Sequence, residues 1–154
     1  ETSFSAVSSI QVNSVFSATY TNYLVKVLFT SNSNAADGVY LRVSASGTPS
    51  TTNYDNQQLT QTNTTVTGGQ GLADQWFSIG SNASGIVGGY IDINLMNPFS
   101  AASTYVYSRE WMANKQFFQS GIHTTATSYD GFTVVTNGMT LTGSYTVYGY
   151  GKTV

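Results

Sequence analysis

The chain predicts an antiparallel all-β fold, and three observations carry that reading. Apolar and polar residues alternate with a period of two from one end to the other, as half-buried strands require. The alternating segments are short, rich in β-branched and aromatic residues, and separated by clusters of Gly, Asn, Asp and Ser. Helix signals are nearly missing, and no unit recurs at a fixed period, so a propeller or solenoid is not expected.

Taken in order, Tyr23, Val25, Val27 and Phe29 line one face of a first strong strand, with Leu24, Lys26 and Leu28 on the other. SNSNAADG, Ser31 to Gly38, is a turn, after which Val39, Leu41 and Val43 alternate with Tyr40 and Arg42. Thr48 to Gln75 is polar and punctuated by Gly. A structureless loop of that length is unusual in a compact domain, so one or two exposed edge strands are expected there, with weak alternation around Gln57 to Thr65. Ile91, Ile93 and Leu95 then oppose Tyr90, Asp92 and Asn94. The stretch REWMANKQFFQ, Arg109 to Gln119, contains good helix formers. Tyr105, Tyr107, Arg109 and Trp111 nevertheless alternate into it, and Asn114 offers a turn, so two strands are preferred.

The ending, Tyr129 to Gly151, reads as a core hairpin closed by Asn137-Gly138, the strongest short-range signal of a type I′ loop. That register sets Val134 against Leu141 and Phe132 against Gly143, whose missing side chain leaves room for the ring. Phe132, Val134, Leu141, Tyr145 and Val147 then share the inner side, and a ladder of Thr residues, Thr133 with Thr142 among them, faces solvent.

Composition narrows the function. The 154 residues fit one domain, and only 8% are charged, against a usual share of roughly a quarter. A net charge of -2 with five basic residues gives no electrostatic footprint for nucleic acid or anionic membrane. There is no Cys, and no apolar run reaches the length of a membrane span. The opening on Glu1, without a leader pattern, leads us to expect a piece of a longer polypeptide. A partner of such a surface is held by hydrogen bonds, stacking and shape.

Catalytic and metal motifs are sparse. His123 is the only His, with no ligand spacing around it; a triad with Asp130 lacks any G-x-S-x-G pattern, and a strand-end or surface position is expected instead. Of the seven carboxylates, Asp37 and Asp130 precede Gly as turn residues do. Asp92 and Glu110 are the pair to consider for glycoside hydrolysis, should they line one face. Arg109 and Glu110, being adjacent, point to opposite faces. Gly68 to Gly71, GGQG, has no following helix or nearby Lys and is expected to be a mobile loop rather than a phosphate cradle. Asn63-Thr64-Thr65 and Asn82-Ala83-Ser84 are sequons that matter only in a eukaryotic secretory setting. An Asp/Asn-rich loop such as Tyr54-Asp55-Asn56 leaves Ca²⁺ open, although no twelve-residue loop signature supplies the six or more oxygens it needs. No cofactor or metal is expected.

The aromatics carry more. Eleven Tyr and two Trp outnumber what one core buries with every polar tip satisfied, and rings beside Asn and Gln suit sugar binding or a subunit interface.

Three stretches also resemble something known. SSIQVNSVFSATYTNYLVKV (Ser8 to Val27), VYLRVSASGTPSTTNY (Val39 to Tyr54) and DGFTVVTNGMTLTGSYTVYGYG (Asp130 to Gly151) are similar to segments of tailed-bacteriophage virion proteins. The resemblance implies a jelly-roll-like β-sandwich at the virion surface, as a tail-fibre, tail-tip or capsid-appendage domain. It further implies a homo-oligomer, a trimer above all, that meets other virion proteins and host-surface glycans. It brings no binding residue with it, because the middle, about Thr60 to Gly121, is unmatched. Trp76, Tyr105, Tyr107 and Trp111 lie in that middle with polar neighbours and are the contact candidates. A non-enzymatic receptor-binding module is the reading preferred; a purely structural decoration protein and a carbohydrate-binding or depolymerase domain are the alternatives.

Overall fold

Alternation decides which side of each strand meets the core, and the resulting faces are what pair into layers. The computed structural model describes residues 1–32, 38–71, 77–81, 88–112 and 115–152. Thirteen strands run through them: β1 (Thr2–Val7), β2 (Ser9–Val12), β3 (Tyr20–Asn32), β4 (Gly38–Ala45), β5 (Thr48–Pro49), β6 (Tyr54–Thr62), β7 (Thr65–Gly71), β8 (Phe77–Ser81), β9 (Gly89–Met96), β10 (Thr104–Met112), β11 (Lys115–His123), β12 (Gly131–Thr136) and β13 (Leu141–Lys152). No helix occurs among the described residues.

The strands form two antiparallel sheets. One has eight strands in the order β1-β13-β3-β9-β10-β11-β6-β7; the other has the order β2-β12-β4-β5, with β8 also pairing β4. They pack face to face in a jelly-roll-like sandwich. Its core takes Tyr23, Val25, Val27, Phe29, Ile91, Ile93 and Leu95 from the larger sheet and Val39, Leu41, Val43, Phe132 and Val134 from the smaller. These are the faces that the period-two pattern assigns inward. The helix-forming stretch is indeed two strands, β10 and β11, and the polar stretch after Thr48 supplies β6 and the edge strand β7.

The ending departs from expectation. β12 pairs with β2 and β4 in the small sheet, whereas β13 pairs with β1 and β3 in the large one. Asn137-Gly138 is therefore a crossover between layers and not a hairpin loop; only Gly138 has positive φ there, at 107°. Phe132, Val134 and Leu141 do meet, but across the two layers, with the Phe132 ring edge-on to Tyr145 at 6.4 Å. Gly143 serves a different end as well: a side chain there would strike the Leu28 carbonyl, where a bulge brings β13 close against β3. Thr133 is buried, its hydroxyl 3.0 Å from that of Ser44, so no solvent-facing Thr ladder forms on β12. Positive φ at two successive loop residues occurs instead at Ser46-Gly47, between β4 and β5. Asp130 accepts the Ser46 N–H at 2.9 Å, a turn-fixing role of the kind expected of it.

Two loop assignments change too. Gly68 to Gly71 lies in β7, paired with β6, and Tyr54-Asp55-Asn56 opens β6; neither is a loop. The single His, His123, ends β11 as expected but is buried, not at the surface. Its Nε2 is 2.9 Å from Ser50 Oγ, and the Tyr54 ring meets it edge-on at 4.4 Å. Burial holds its pKa below the ordinary imidazole value.

Candidate functional site

The outer face of the large sheet carries the exposed rings Tyr105, Tyr107, Trp111, Phe118, Tyr148 and Tyr150. Along β10, Thr104, Val106, Ser108 and Glu110 point inward, which turns Tyr105, Tyr107, Arg109 and Trp111 to solvent. Register then sets their neighbours, since directly paired residues share a face. Tyr107 stands between Asn94 of β9 and Ser120 of β11, and Ser120 is followed by Gln57 of β6. The next row reads Asp92, Arg109, Phe118, Leu59 and, on β7, Gly68.

These two rows line a groove of about 800 Å³. That volume is in the range of pockets that hold small ligands. It crosses from β9 to β7, four strand spacings or roughly 19 Å, long enough for several linked rings. Its walls expose Tyr107 (48%), Phe118 (43%) and Leu59 (54%) in one contiguous apolar strip. Asn94, Gln57 and Ser120 place amides and a hydroxyl alongside that strip. Tyr150 reaches over from β13: its hydroxyl donates to Asn94 Oδ1 at 3.2 Å. Burial, then the electrostatic repulsion of Tyr107 and the hydrogen bond to it, raise its pKa above the ordinary phenol value.

Asp92 and Arg109 form the other wall and belong to a charged cluster that extends behind it. Asp92, with its side chain only 15% exposed, faces Lys26 Nζ at 3.3 Å and Arg109 Nη2 at 3.5 Å. The Tyr90 hydroxyl donates to Asp92 Oδ1 at 2.5 Å and accepts from Lys26 at 2.6 Å. That bond to Tyr90 is the main reason the Lys26 pKa is raised.

Of the four contact candidates, Tyr107 lines the groove. Tyr105 and Trp111 share its face, two residues to one side and four to the other along β10, so they flank the groove rather than line it. Trp76 lies outside the described residues. Phe118, Leu59, Asn94 and Gln57 were missed. The doubled Phe117-Phe118 carries a signal, because adjacent aromatics on a strand must put one ring on each face.

The two carboxylates considered for hydrolysis do not converge. Asp92 pairs with Arg109 on the outer face, whereas Glu110 pairs with Ile91 and is buried on the inner one. As expected, Arg109 and Glu110 point apart. Among the described residues no three His, Cys, Asp or Glu side chains come together. What this surface can do chemically is stack rings, hydrogen-bond hydroxyls and present one guanidinium.

No family model matches the chain, and no curated protein matches it in sequence. Solved structures of similar outline exist. A homodimeric agglutinin from chicken liver, CG-16, is 11% identical, with 91% of this chain and 99% of that one covered at a TM-score of 0.40. Peanut lectin with a 9mer peptide is 11% identical, covering 89% and 78% at a TM-score of 0.30. An alginate lyase from Alteromonas sp.272 is also 11% identical, covering 86% and 74% at a TM-score of 0.26.

Proposed function

We propose that this chain is a non-enzymatic, glycan-binding β-sandwich of a virion surface, with the β9–β7 groove as its binding site. One observation carries the binding half of the reading. On β10, β11 and β6 the sheet turns Tyr107, Phe118 and Leu59 outward beside neutral amides, against the usual drive to bury such groups. Sugar rings match that surface, because their C–H faces lie on aromatic and apolar side chains while their hydroxyls meet Asn94, Gln57 and Ser120. The virion half is supported by the resemblance of Ser8 to Val27, Val39 to Tyr54 and Asp130 to Gly151 to phage virion proteins, and by the neutral, Thr- and Asn-rich composition.

The test is a glycan array joined to a bacterial adsorption assay, run on Tyr107→Ala and Phe118→Ala. Both side chains are exposed, so the fold is retained, and each change is expected to weaken binding about tenfold, or ~1.4 kcal/mol. Unaltered binding by both variants, with unchanged melting, overturns the site.

A structural decoration role is the second reading, favoured by β7. That strand ends the large sheet with the sequence TVTGGQG, which has no charge and no Pro to discourage pairing with another chain. Light scattering on the isolated chain separates the two. A stable oligomer, a trimer being the expected form, fits a receptor-binding tip, whereas a monomer that assembles only on virions fits decoration.

A further inference from the structure

We propose that the groove selects acidic glycans, those carrying a sugar carboxylate, and that Arg109 makes the selection. This rests on the glycan-binding reading and adds the ligand's charge to it. The first support is a charge count in the cluster around Asp92, which lines the groove together with Arg109. Lys26 and Arg109 flank a single anion, Asp92, which leaves one positive charge in excess on a chain whose net charge is -2. Asp92 is itself committed: Oδ1 takes the Tyr90 hydroxyl and Lys26, and Oδ2 takes Arg109. It anchors Arg109 and has little left to repel an incoming anion.

The second support is how little of Arg109 is used. Its side chain is 66% exposed, and Nη2 reaches Asp92 at 3.5 Å. A guanidinium carries five N–H donors in a planar fork that fits a carboxylate two bonds at a time. The third is position. Arg109 is paired directly with Phe118, and Leu59 and Gly68 continue that row. A ring resting on Phe118 therefore brings an acid substituent to the guanidinium one strand away. Apart from Asp92, which is already paired, the groove's other outward polar groups are neutral, so Arg109 is the residue through which charge is discriminated.

The experiment measures affinity for a panel of uronic-acid and sialic-acid glycans, each beside its carboxyl-reduced, neutral counterpart of equal length. The wild-type chain is expected to prefer the acid form about tenfold or more, as a charge-assisted hydrogen bond implies, with the preference shrinking as salt is added. Arg109→Gln is expected to abolish the ratio, and Arg109→Lys, which keeps charge without the fork, to leave part of it. Lys115→Gln, an equal charge change at the opposite-facing start of β11, is expected to leave the ratio alone. Melting temperatures confirm that the variants fold. Equal affinities for acid and reduced forms, a preference that survives Arg109→Gln, or equal binding of sulfated dextran each overturn the selection. In the first two cases, binding that still depends on Tyr107 and Phe118 leaves the glycan site standing. Loss of that dependence as well brings down the broader reading.

Discussion

The two halves of the eight-stranded sheet put opposite chemistry on their inner and outer sides. In β3 and β9 the inward residues are Val25, Val27, Ile91, Ile93 and Leu95, and the outward ones include Lys26, Asp92 and Asn94. In β10, β11 and β6 the inward set mixes Val106, Phe117 and Tyr54 with Ser108, Glu110, Gln119, Asn56 and His123, while Tyr107, Phe118, Leu59 and Trp111 look out. Burying polar groups costs free energy unless each finds a hydrogen bond, and an exposed ring contributes little to folding. The β3–β9 half is thus arranged for stability. The other half gives up part of that gain, and the groove is what it presents in return.

This contrast breaks first, and by the largest amount, at Ile93. It is fully buried, and Ile93→Ala is expected to cost about 2 to 5 kcal/mol of unfolding free energy. Tyr107→Ala, in the groove, is expected to cost under about 1 kcal/mol. Urea titrations of both variants measure the difference. Similar losses at the two positions mean that the halves are not divided between stability and binding.

Why the first half was legible from sequence, and the second only in part, follows from what alternation encodes. Val25, Val27 and Phe29, and Ile91, Ile93 and Leu95, are inward because each set is the apolar face of a β-patterned run, a local property. Partner choice is not local. Asn137-Gly138 looks the same whether its flanking strands pair with each other or cross to different layers, so the sequence names the core residues Phe132, Val134 and Leu141 but not the pairing. GGQG looks like a loop because Gly weakens a strand, but pairing with β6 overrides that preference. The groove needs register across five strands. Arg109 meets Asp92 seventeen residues away, and only the β9–β10 alignment brings them together; the same alignment sends Glu110 to the other side.

A smaller effect is expected from pH, at the polar inner end of β11. His123 is buried and its pKa is lowered by that burial from the ordinary 6.5. Below that value the unfolded chain binds a proton that the folded chain resists, so the stability present above pH 6.5 falls as pH falls toward the lowered folded pKa. The loss grows as pH falls through that window and levels off below the folded pKa. Urea midpoints above and below that window measure it, and the resonance of this single His reports the titration directly. A midpoint that rises on acidification through the window overturns the sign.

The smallest effect on stability, with the opposite effect on binding, is expected at Gly68. It pairs with Leu59 at the β7 end of the groove, and a side chain there makes ordinary contacts, 3.8 Å to Leu59 Cδ2 and 4.0 Å to the Gln58 carbonyl. Gly is a poor strand residue, and a β-branched one suits the pleat better. Gly68→Thr is therefore expected to leave stability unchanged or raise it by up to about 1 kcal/mol. The same side chain narrows the groove beside Leu59, so glycan affinity is expected to fall. Calorimetric melting and binding titration on one preparation read the two signs together. If stability and affinity rise together, the ligand does not use the β7 end, and the site contracts to the rows around Tyr107 and Phe118.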